Sequence, residues 1–317
     1  MSGSLGFPAA GVARVSQRFA VFCPGQGAQH ASMFALTERE SVQALPAWSA
    51  SNLHEILTDP AALFANRYAQ PLIVSVGLAR WQEMRSRLPV PSLIAGYSVG
   101  ELTAYGVAGA LDSATMISLA EVRASAMDAC VETGKPQCML AISGLMAAQV
   151  LPILQQYGLA IAIQNDSDRL VAGGLADDCT LAEPALLALG ADCLRLPVAV
   201  ASHTALMKNA VITFAAALDQ SVWSPMITPV LAGINAHKIC TTAAAISALQ
   251  AQLTTTIHWQ DCMDACVENG IEAILELGPG NTLSRMMMAR HPAVACRSLD
   301  EFRSIGAAAD WLLRQVD

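Results

Sequence analysis

Short apolar runs alternate with longer amphipathic stretches along the first part of this 317-residue chain. Residues 19–23 (FAVFC) predict a buried strand that enters a Pro-Gly-rich loop, and residues 91–95 predict a second strand. Strand-like and helix-like segments also alternate through residues 71–84 (PLIVSVGLARWQEM), and residues 99–108 favour a helix. This alternation predicts a parallel sheet with helices on its faces.

The pattern changes near Cys138. Within about sixty residues it predicts a strand, a helix, two strands, a helix and a strand, which is the order of a ferredoxin-like unit. We therefore expect an inserted subdomain at residues 131–198 and a core built from residues 1–130 and 199–317. The core gains further predicted strands within residues 226–235 and 272–280.

A serine lies between two glycines where the second predicted strand meets its helix, in the stretch Gly96-Tyr97-Ser98-Val99-Gly100. A Gly-x-Ser-x-Gly sequence forms a nucleophile elbow when a buried strand precedes it and a helix follows. The glycines let the chain turn sharply, and the helix N-terminus then faces any oxyanion that forms beside the serine. The alternative is an ordinary turn between a strand and a helix, and the context favours the elbow.

A serine hydroxyl is a weak nucleophile and needs a base within hydrogen-bonding distance. His203 lies where the inserted unit ends and a helix begins, so the returning chain could bring it to the edge of the sheet. A single histidine is more often a surface or capping residue, and the sequence offers five others. The six are His30, His54, His203, His237, His258 and His291.

Arg123 is predicted to face the protein core. On a helix, one face carries Met116, Ala120, Arg123 and Met127. A buried guanidinium needs a partner. That partner is either an internal Asp or Glu or a carboxylate carried by the substrate, which arginine would bind through two hydrogen bonds.

The loop at residues 23–30 (CPGQGAQH) is open to two interpretations. It is either a turn, or a close approach of Gln26 and its backbone to the serine that completes an oxyanion hole.

Composition excludes several classes of protein. The net charge is −8 without a long basic run, which argues against nucleic acid as a partner. Nine cysteines without a Cys-x-x-Cys pair, and Cys262 and Cys266 without a His-Cys cluster, predict reduced thiols in the cytoplasm and no metal site. The longest uncharged stretch, residues 136–165, contains two prolines and two glycines, so we expect no membrane span. Residues 1 to about 18 are interpreted as an extension and not as a signal peptide.

Taken together, the ordered motifs resemble the malonyl-CoA:acyl carrier protein transacylase family over nearly the whole chain. The resemblance implies an α/β-hydrolase-like core with a parallel sheet and an inserted ferredoxin-like subdomain. It implies a CoA thioester substrate, the phosphopantetheine-type arm of an acyl carrier protein as acceptor, and no bound cofactor or metal. The motifs are FCPGQGAQ at 22–29, GYSVGE at 96–101, Arg123, SHTALM at 202–207, QLTTTIHW at 252–259 and LELGPGNTLS at 275–284.

The same resemblance implies roles for seven residues. Ser98 would be the nucleophile and His203 its base, while Arg123 would bind the malonyl carboxylate with Met127 beside the substrate. Gln26 and the amide of Val99 would form the oxyanion hole. The backbone carbonyl of Gln252 would orient the histidine in place of a carboxylate.

Within the family, GYSVGE, SHT, RYAQPLIV and GVAGALD look most like the transacylase (epsilon, MdcH-type) subunit of biotin-independent malonate decarboxylase. Other decarboxylase subunits would then be partners. Two positions depart from the usual family pattern. Cys23 stands where fatty-acid-synthesis members usually carry phenylalanine. Ser202 stands where malonyl-specific members often carry phenylalanine. The smaller serine puts the rejection of methyl-branched malonyl groups in doubt.

Three other functions are compatible with the sequence. A serine hydrolase or thioesterase would need an acid between Ser98 and His203, for which Asp166 and Asp192 are candidates. A non-enzymatic subunit would form no acyl-serine. A polyketide acyltransferase domain would be expected beside other modules.

An acidic carrier would need a local basic surface on this acidic chain. Arg80, Arg85 and Arg87 form a candidate patch.

Overall fold

Strands and helices alternate through the first third of the chain. The computed structural model describes residues 18–37 and 50–316, and the predicted N-terminal extension lies almost wholly outside them. The elements are β1 (Phe19–Cys23), α1 (Ala50–Thr58), α2 (Pro60–Phe64), α3 (Asn66–Met84), β2 (Leu93–Gly96), α4 (Val99–Val107) and α5 (Ser113–Asp128).

The middle of the chain follows the predicted order of strand, helix, two strands, helix and strand. Its four strands form an antiparallel sheet in the order β6-β3-β5-β4, with α6 and α7 as the two connecting helices. The elements are β3 (Gln137–Ser143), α6 (Ala147–Gln156), β4 (Ala160–Asp166), β5 (Arg169–Leu175), α7 (Ala176–Ala188) and β6 (Asp192–Arg195).

The last third of the chain completes the main sheet. Its elements are α8 (Lys208–Gln220), β7 (Val230–Leu231), β8 (Lys238–Ile239), α9 (Thr242–Gln252), β9 (Ile257–His258), α10 (Trp259–Glu268), β10 (Ala273–Glu276), α11 (Thr282–Arg290), β11 (Ala295–Ser298) and α12 (Ile305–Val316). The main sheet has the order β11-β10-β1-β2-β7-β8. All its neighbouring strands are parallel except the edge pair of β7 and β8, so the α/β fold with a parallel core sheet is confirmed.

The two sheets are joined by backbone and by side chains. The short strand β9, which follows the core helix α9, pairs with β4 of the second sheet. Phe22 and Trp259 of the core pack in one apolar cluster with Met139 and Val171 of the second sheet. The division of the chain at residues 131 and 198 stays a prediction, and the second sheet draws one strand from beyond it.

The expected alternation of strand and helix within residues 71–84 is wrong. The segment belongs to the single helix α3, and every residue from Ala69 to Trp81 is buried. A helix buried on all sides has no polar face, so its apolar run cannot be distinguished from a buried strand by periodicity. The strand expected within residues 226–235 is reduced to the two residues of β7.

Arg80 is not part of a basic surface patch, because its side chain is only 1% exposed. Its guanidinium donates to the carbonyls of Leu277 and Met33 and to the carboxylate of Asp300, each at 2.6 Å. The same carboxylate accepts the amide of Gly280 at 2.6 Å. Arg80 therefore holds the loop after β10 against α3, and the predicted carrier patch loses one of its three residues.

No helix among the described residues is long and apolar enough to cross a membrane.

We expect Arg80→Ala to lower the free energy of unfolding by about 3 kcal/mol, because a buried ion pair is broken and two carbonyls lose their donor. Arg85→Ala serves as the control, since Arg85 is exposed, and should change it by no more than about 0.5 kcal/mol. Urea unfolding of both variants measures the difference. Equal stabilities would show that the Arg80 contacts contribute nothing measurable.

Candidate active site

Ser98 occupies the sharp turn between β2 and α4. Its backbone has φ 54° and ψ −120°, a strained conformation for a residue with a side chain. A Cβ at Gly96 would overlap the backbone of Gly100 and Glu101, and one at Gly100 would overlap the carbonyl of Cys23. Both glycines are therefore required by close backbone contacts, and the elbow geometry is present.

His203 lies beside Ser98, with its Nε2 2.8 Å from the serine Oγ. Its Nδ1 lies 2.6 Å from the backbone oxygen of Gln252, and since a carbonyl can only accept, Nδ1 carries the proton. The lone pair of Nε2 is then left for the hydroxyl of Ser98. Gln252 is the last residue of α9, so its carbonyl has no partner within the helix and is available to the histidine.

The imidazole of His203 is held in its neutral form. Burial lowers its pKa to about 3, and the positive charge of Arg123 lowers it in the same direction, while the bond to Gln252 opposes them. At neutral pH the ring is therefore a proton acceptor. The strained φ of 61° at His203 marks a second position where backbone geometry is set by the site.

Arg123 is buried, but its contacts differ from those of an internal ion pair. Its Nη1 donates to Oε1 of Gln70 at 2.6 Å and its Nη2 to Oε1 of Gln252 at 3.1 Å. No carboxylate within residues 18–37 and 50–316 forms an ion pair with it. Burial lowers its pKa to about 10, so the guanidinium is charged at neutral pH.

A cavity of about 320 Å³ opens over the serine and the histidine. Its walls include Gln26, Ser98, Ser202 and His203. Val99 is the first residue of α4, so its amide is one of the helix N-terminal donors without a carbonyl partner four residues earlier. The structure therefore brings Gln26 and the start of α4 to the same site as the serine.

Four predicted site residues do not line this cavity, namely Val99, Arg123, Met127 and Gln252. Arg123 and Met127 are absent from its walls, although Arg123 reaches the site through Gln252. Met127 is fully buried, and its sulfur accepts a hydrogen bond from Nε2 of Gln70 at 3.4 Å. Met127 thus supports the glutamine that contacts Arg123.

A second cavity, of about 620 Å³, adjoins the first through the shared walls Gln26, Leu196 and Val198. It lies against the ends of α5 and β6, and its walls include Arg67, Asp128 and Arg195, the last of which pairs with Glu183 at 2.9 Å. The two cavities are therefore neighbours that share part of their walls.

The acids that a hydrolase triad would need are elsewhere. Asp166 pairs with Arg290 at 2.6 Å, and Asp192 is exposed on the edge strand β6. In the described part of the chain, no group of His, Cys, Asp and Glu side chains could hold a metal ion. Ser98 and His203 therefore form a dyad completed by a backbone carbonyl.

Proteins with similar sequences include several acyl carrier protein transacylases. The malonyl CoA-acyl carrier protein transacylase of Mycobacterium tuberculosis is 31% identical over 303 residues, which cover 88% of this chain and 95% of that protein. The chain belongs to the malonyl-CoA:acyl carrier protein transacylase family. The transacylase of Escherichia coli K12 is 28% identical over 309 residues, covering 92% and 99% of the two chains. A scan against protein-family models matched none of them.

Solved structures of the family superpose on this chain. FabD from Acinetobacter baumannii gives a TM-score of 0.86 at 28% identity, covering 94% of this chain and 99% of that chain. A malonyl-transacylase in complex with a type II polyketide-synthase acyl carrier protein gives 0.86 at 26% identity, covering 92% and 99%. The transacylase fold is thus present over nearly the whole chain.

In this transacylase, Gln70 and Glu101 are site residues that the sequence analysis did not identify. Gln70 contacts Arg123, and Glu101 contacts the side chain of Gln252 at 2.6 Å. The available signal was a polar residue in an otherwise apolar run, at position 70 in AQPLIV and at position 101 after the elbow. A polar residue at a buried position needs a partner, but the sequence does not show which distant residue supplies it.

The low pKa of His203 predicts a loss of stability in acid. In the unfolded chain the histidine has a pKa near 6.5, whereas in the folded protein it becomes protonated only near pH 3. Below pH 6.5 the unfolded state therefore binds more protons than the folded state, and the free energy of unfolding falls. At pH 5 this effect should lower the free energy of unfolding by about 2 kcal/mol. Urea unfolding at pH 7.5 and pH 5 should show this cost in the wild type and lack it in His203→Gln. Parallel pH dependence in the two proteins would contradict the buried neutral histidine.

Proposed function

We propose that this protein transfers a malonyl group from a CoA thioester to the phosphopantetheine thiol of an acyl carrier protein through a malonyl-Ser98 intermediate. The observation that carries the proposal is the chain of contacts from the Ser98 hydroxyl through His203 to Gln252, with Arg123 at the other end of the same glutamine. It joins a nucleophile and its base to a buried cation that can receive a carboxylate.

The first half-reaction acylates the serine. His203 Nε2 takes the hydroxyl proton as Ser98 Oγ attacks the thioester carbonyl, and the imidazolium that forms keeps its Nδ1–H bond to Gln252. The amides of Gln26 and Val99 receive the developing oxyanion. When the tetrahedral intermediate collapses, the carbon–sulfur bond breaks and the proton passes from His203 to the departing CoA sulfur.

The second half-reaction runs through the same groups in reverse. His203 accepts the proton of the carrier's thiol, whose sulfur attacks the malonyl-serine ester, and the proton returns to Ser98 Oγ. Arg123 holds the malonyl carboxylate in both halves. The second cavity, with Arg67 and Arg195, has room for the long pantetheine arm of either thioester.

The carrier of fatty-acid synthesis is the better supported acceptor, because the curated relatives are carrier-protein transacylases. The epsilon subunit of malonate decarboxylase is the second candidate, and the sequence features that favour it are the GYSVGE motif and Ser202. Ser202 lines the cavity beside His203, where a larger side chain would reduce the space for a branched acyl group.

Wild-type protein mixed with malonyl-CoA should gain the mass of one malonyl group, and Ser98→Ala should gain none. Intact-mass spectrometry measures both. Adding a holo-acyl carrier protein should then discharge the adduct and load the carrier. An adduct that survives in Ser98→Ala would assign the nucleophile to another residue. Discharge only by a decarboxylase carrier with its modified-CoA arm would favour the second candidate.

Arg123→Ala should lower kcat/KM for malonyl-CoA by the equivalent of about 2–5 kcal/mol, because the carboxylate loses a bidentate partner. Acetyl-CoA should be tolerated better by the variant, since a neutral acyl group no longer faces a buried cation. Arg123→Lys keeps the charge without the planar fork and should recover only part of the loss. Steady-state assays with both thioesters measure the preference.

The control for Arg123→Ala is its thermal unfolding beside the wild type. An equal loss of activity with both thioesters, or a protein that no longer folds, would make Arg123 a structural partner of Gln70 and Gln252.

A further inference from the structure

Glu101 is a buried carboxylate beside the proposed active site whose role the mechanism above leaves open. It lies in the first turn of α4, three residues after Ser98, and its side chain is fully buried. Its Oε2 accepts hydrogen bonds from Nε2 of Gln252 at 2.6 Å and from the amide of Gly233 at 2.9 Å. The Tyr105 hydroxyl also interacts with this carboxylate, so its partners are an amide side chain, a backbone amide and a phenol.

Gln252 connects Glu101 to both functional side chains. Its Nε2 donates to Glu101, its Oε1 accepts from Arg123, and its backbone oxygen accepts from His203. A carboxylate can only accept and a guanidinium can only donate, so this orientation of the amide is the only one that satisfies both neighbours. With the amide reversed, its NH₂ group would face Arg123 and its oxygen would face Glu101.

Glu101 also supplies a negative charge for Arg123 without contacting it. Burial raises the pKa of the Glu101 carboxyl to about 7, while the hydrogen bonds from Gly233 and Gln252 and the charge of Arg123 favour its ionised form, which predominates above pH 7. Burial lowers the pKa of Arg123 to about 10, and the charge of Glu101 opposes that shift. Both nitrogens Nη1 and Nη2 are meanwhile bonded to neutral amide oxygens of Gln70 and Gln252. Such oxygens are weaker partners than a carboxylate, so a substrate carboxylate can replace them while the buried charge stays balanced.

We propose that Glu101 is the positioning residue of this site, which acts through Gln252 to hold His203 in place and to balance the charge of Arg123. This inference rests on the proposed malonyl transfer. In a serine hydrolase the orienting carboxylate contacts the histidine directly. Here Gln252 lies between the carboxylate of Glu101 and the histidine. Through Gln252 the carboxylate acts on both His203 and Arg123.

The test is Glu101→Gln, which removes the charge and keeps the shape. Formation of malonyl-Ser98 at saturating malonyl-CoA should slow by on the order of tenfold or more, because the imidazolium that forms on His203 loses a compensating negative charge and Gln252, whose backbone oxygen it contacts, loses a charged partner for its side chain. KM for malonyl-CoA should not rise, because Arg123 keeps its charge and gains no competing partner. Quenched-flow intact-mass measurements separate the rate from KM.

Glu276→Gln is the matched control. Glu276 is equally buried and accepts hydrogen bonds from the amides of Leu283 and Ser284 and from the Ser284 hydroxyl, so it caps α11 and has no contact with Gln252. Glu276→Gln should lower the free energy of unfolding about as much as Glu101→Gln does, and its acylation rate should equal that of the wild type. An acylation rate in Glu101→Gln that matches this control would make Glu101 structural, and a higher KM at an unchanged rate would assign it to substrate binding. Either result overturns the proposal.

A second variant covers a failure of Glu101→Gln to fold. Gln252→Leu keeps the backbone carbonyl that His203 contacts but removes the side-chain contacts with both Glu101 and Arg123. It should slow acylation at least as much as Glu101→Gln does, and the double variant should be no slower than Gln252→Leu, because the loss of the Gln252 side chain already removes the link to Glu101. Additive losses would mean that the two residues act independently.

A measurement without substrate separates this inference from the proposed function. The Nδ1 proton of His203, hydrogen-bonded at 2.6 Å, should give a low-field proton NMR signal in the wild type and in Glu276→Gln, and a weaker or shifted one in Glu101→Gln. An unchanged signal in Glu101→Gln would overturn the positioning role even if the wild type transferred no malonyl group. Absence of malonyl-Ser98 in the wild type would instead overturn the proposed function.

Discussion

The hydrogen bonds of Gln252 are the constraint on which the geometry of the site depends. One residue receives the Nδ1 proton of His203 on its backbone oxygen and joins Arg123 to Glu101 through its side chain. It can do so because α9 ends there, which leaves the carbonyl without a helical partner. The end of a helix also carries partial negative charge, which favours an imidazolium on the histidine facing it. A helix one turn longer would remove that acceptor.

The fold supplies the other half of the geometry by forcing backbone segments close together. β1 and β2 are neighbours in the parallel sheet, and the loop after each strand passes the elbow at Ser98. Gly25, Gly96 and Gly100 allow that approach, because a Cβ at any of them would meet backbone atoms of the neighbouring segment. The serine is thus raised over the carboxyl end of the sheet, and the second sheet closes the cavity above it through Met139 and Val171.

Residues with a local signature were predictable from the sequence. The elbow has its glycines, the segment after Cys138 has an alternation that matches the observed strands, and Arg123 is conspicuous on an apolar helix face. Helix α3 was misassigned because its burial on all sides removes the amphipathic pattern, and the same burial made Arg80 look like a surface cation. Gln70, Gly233 and Glu101 could not be assigned from local pattern, since their contacts join positions 53, 132 and 151 residues apart.

The charges of the site differ in how they are stabilised, and this decides what each can do. His203 has lost its charge to burial and to the field of Arg123, so it is ready to accept a proton. Burial lowers the pKa of Arg123 to about 10, which leaves it charged at neutral pH, and burial raises the pKa of the Glu101 carboxyl, one amide away, to about 7. Had Glu101 contacted Arg123 directly, the ion pair would have been stronger and the guanidinium less available to a second carboxylate. Because Gln252 lies between them, Glu101 and Arg123 interact only weakly. The guanidinium of Arg123 can therefore exchange its neutral amide partners for the carboxylate of a substrate.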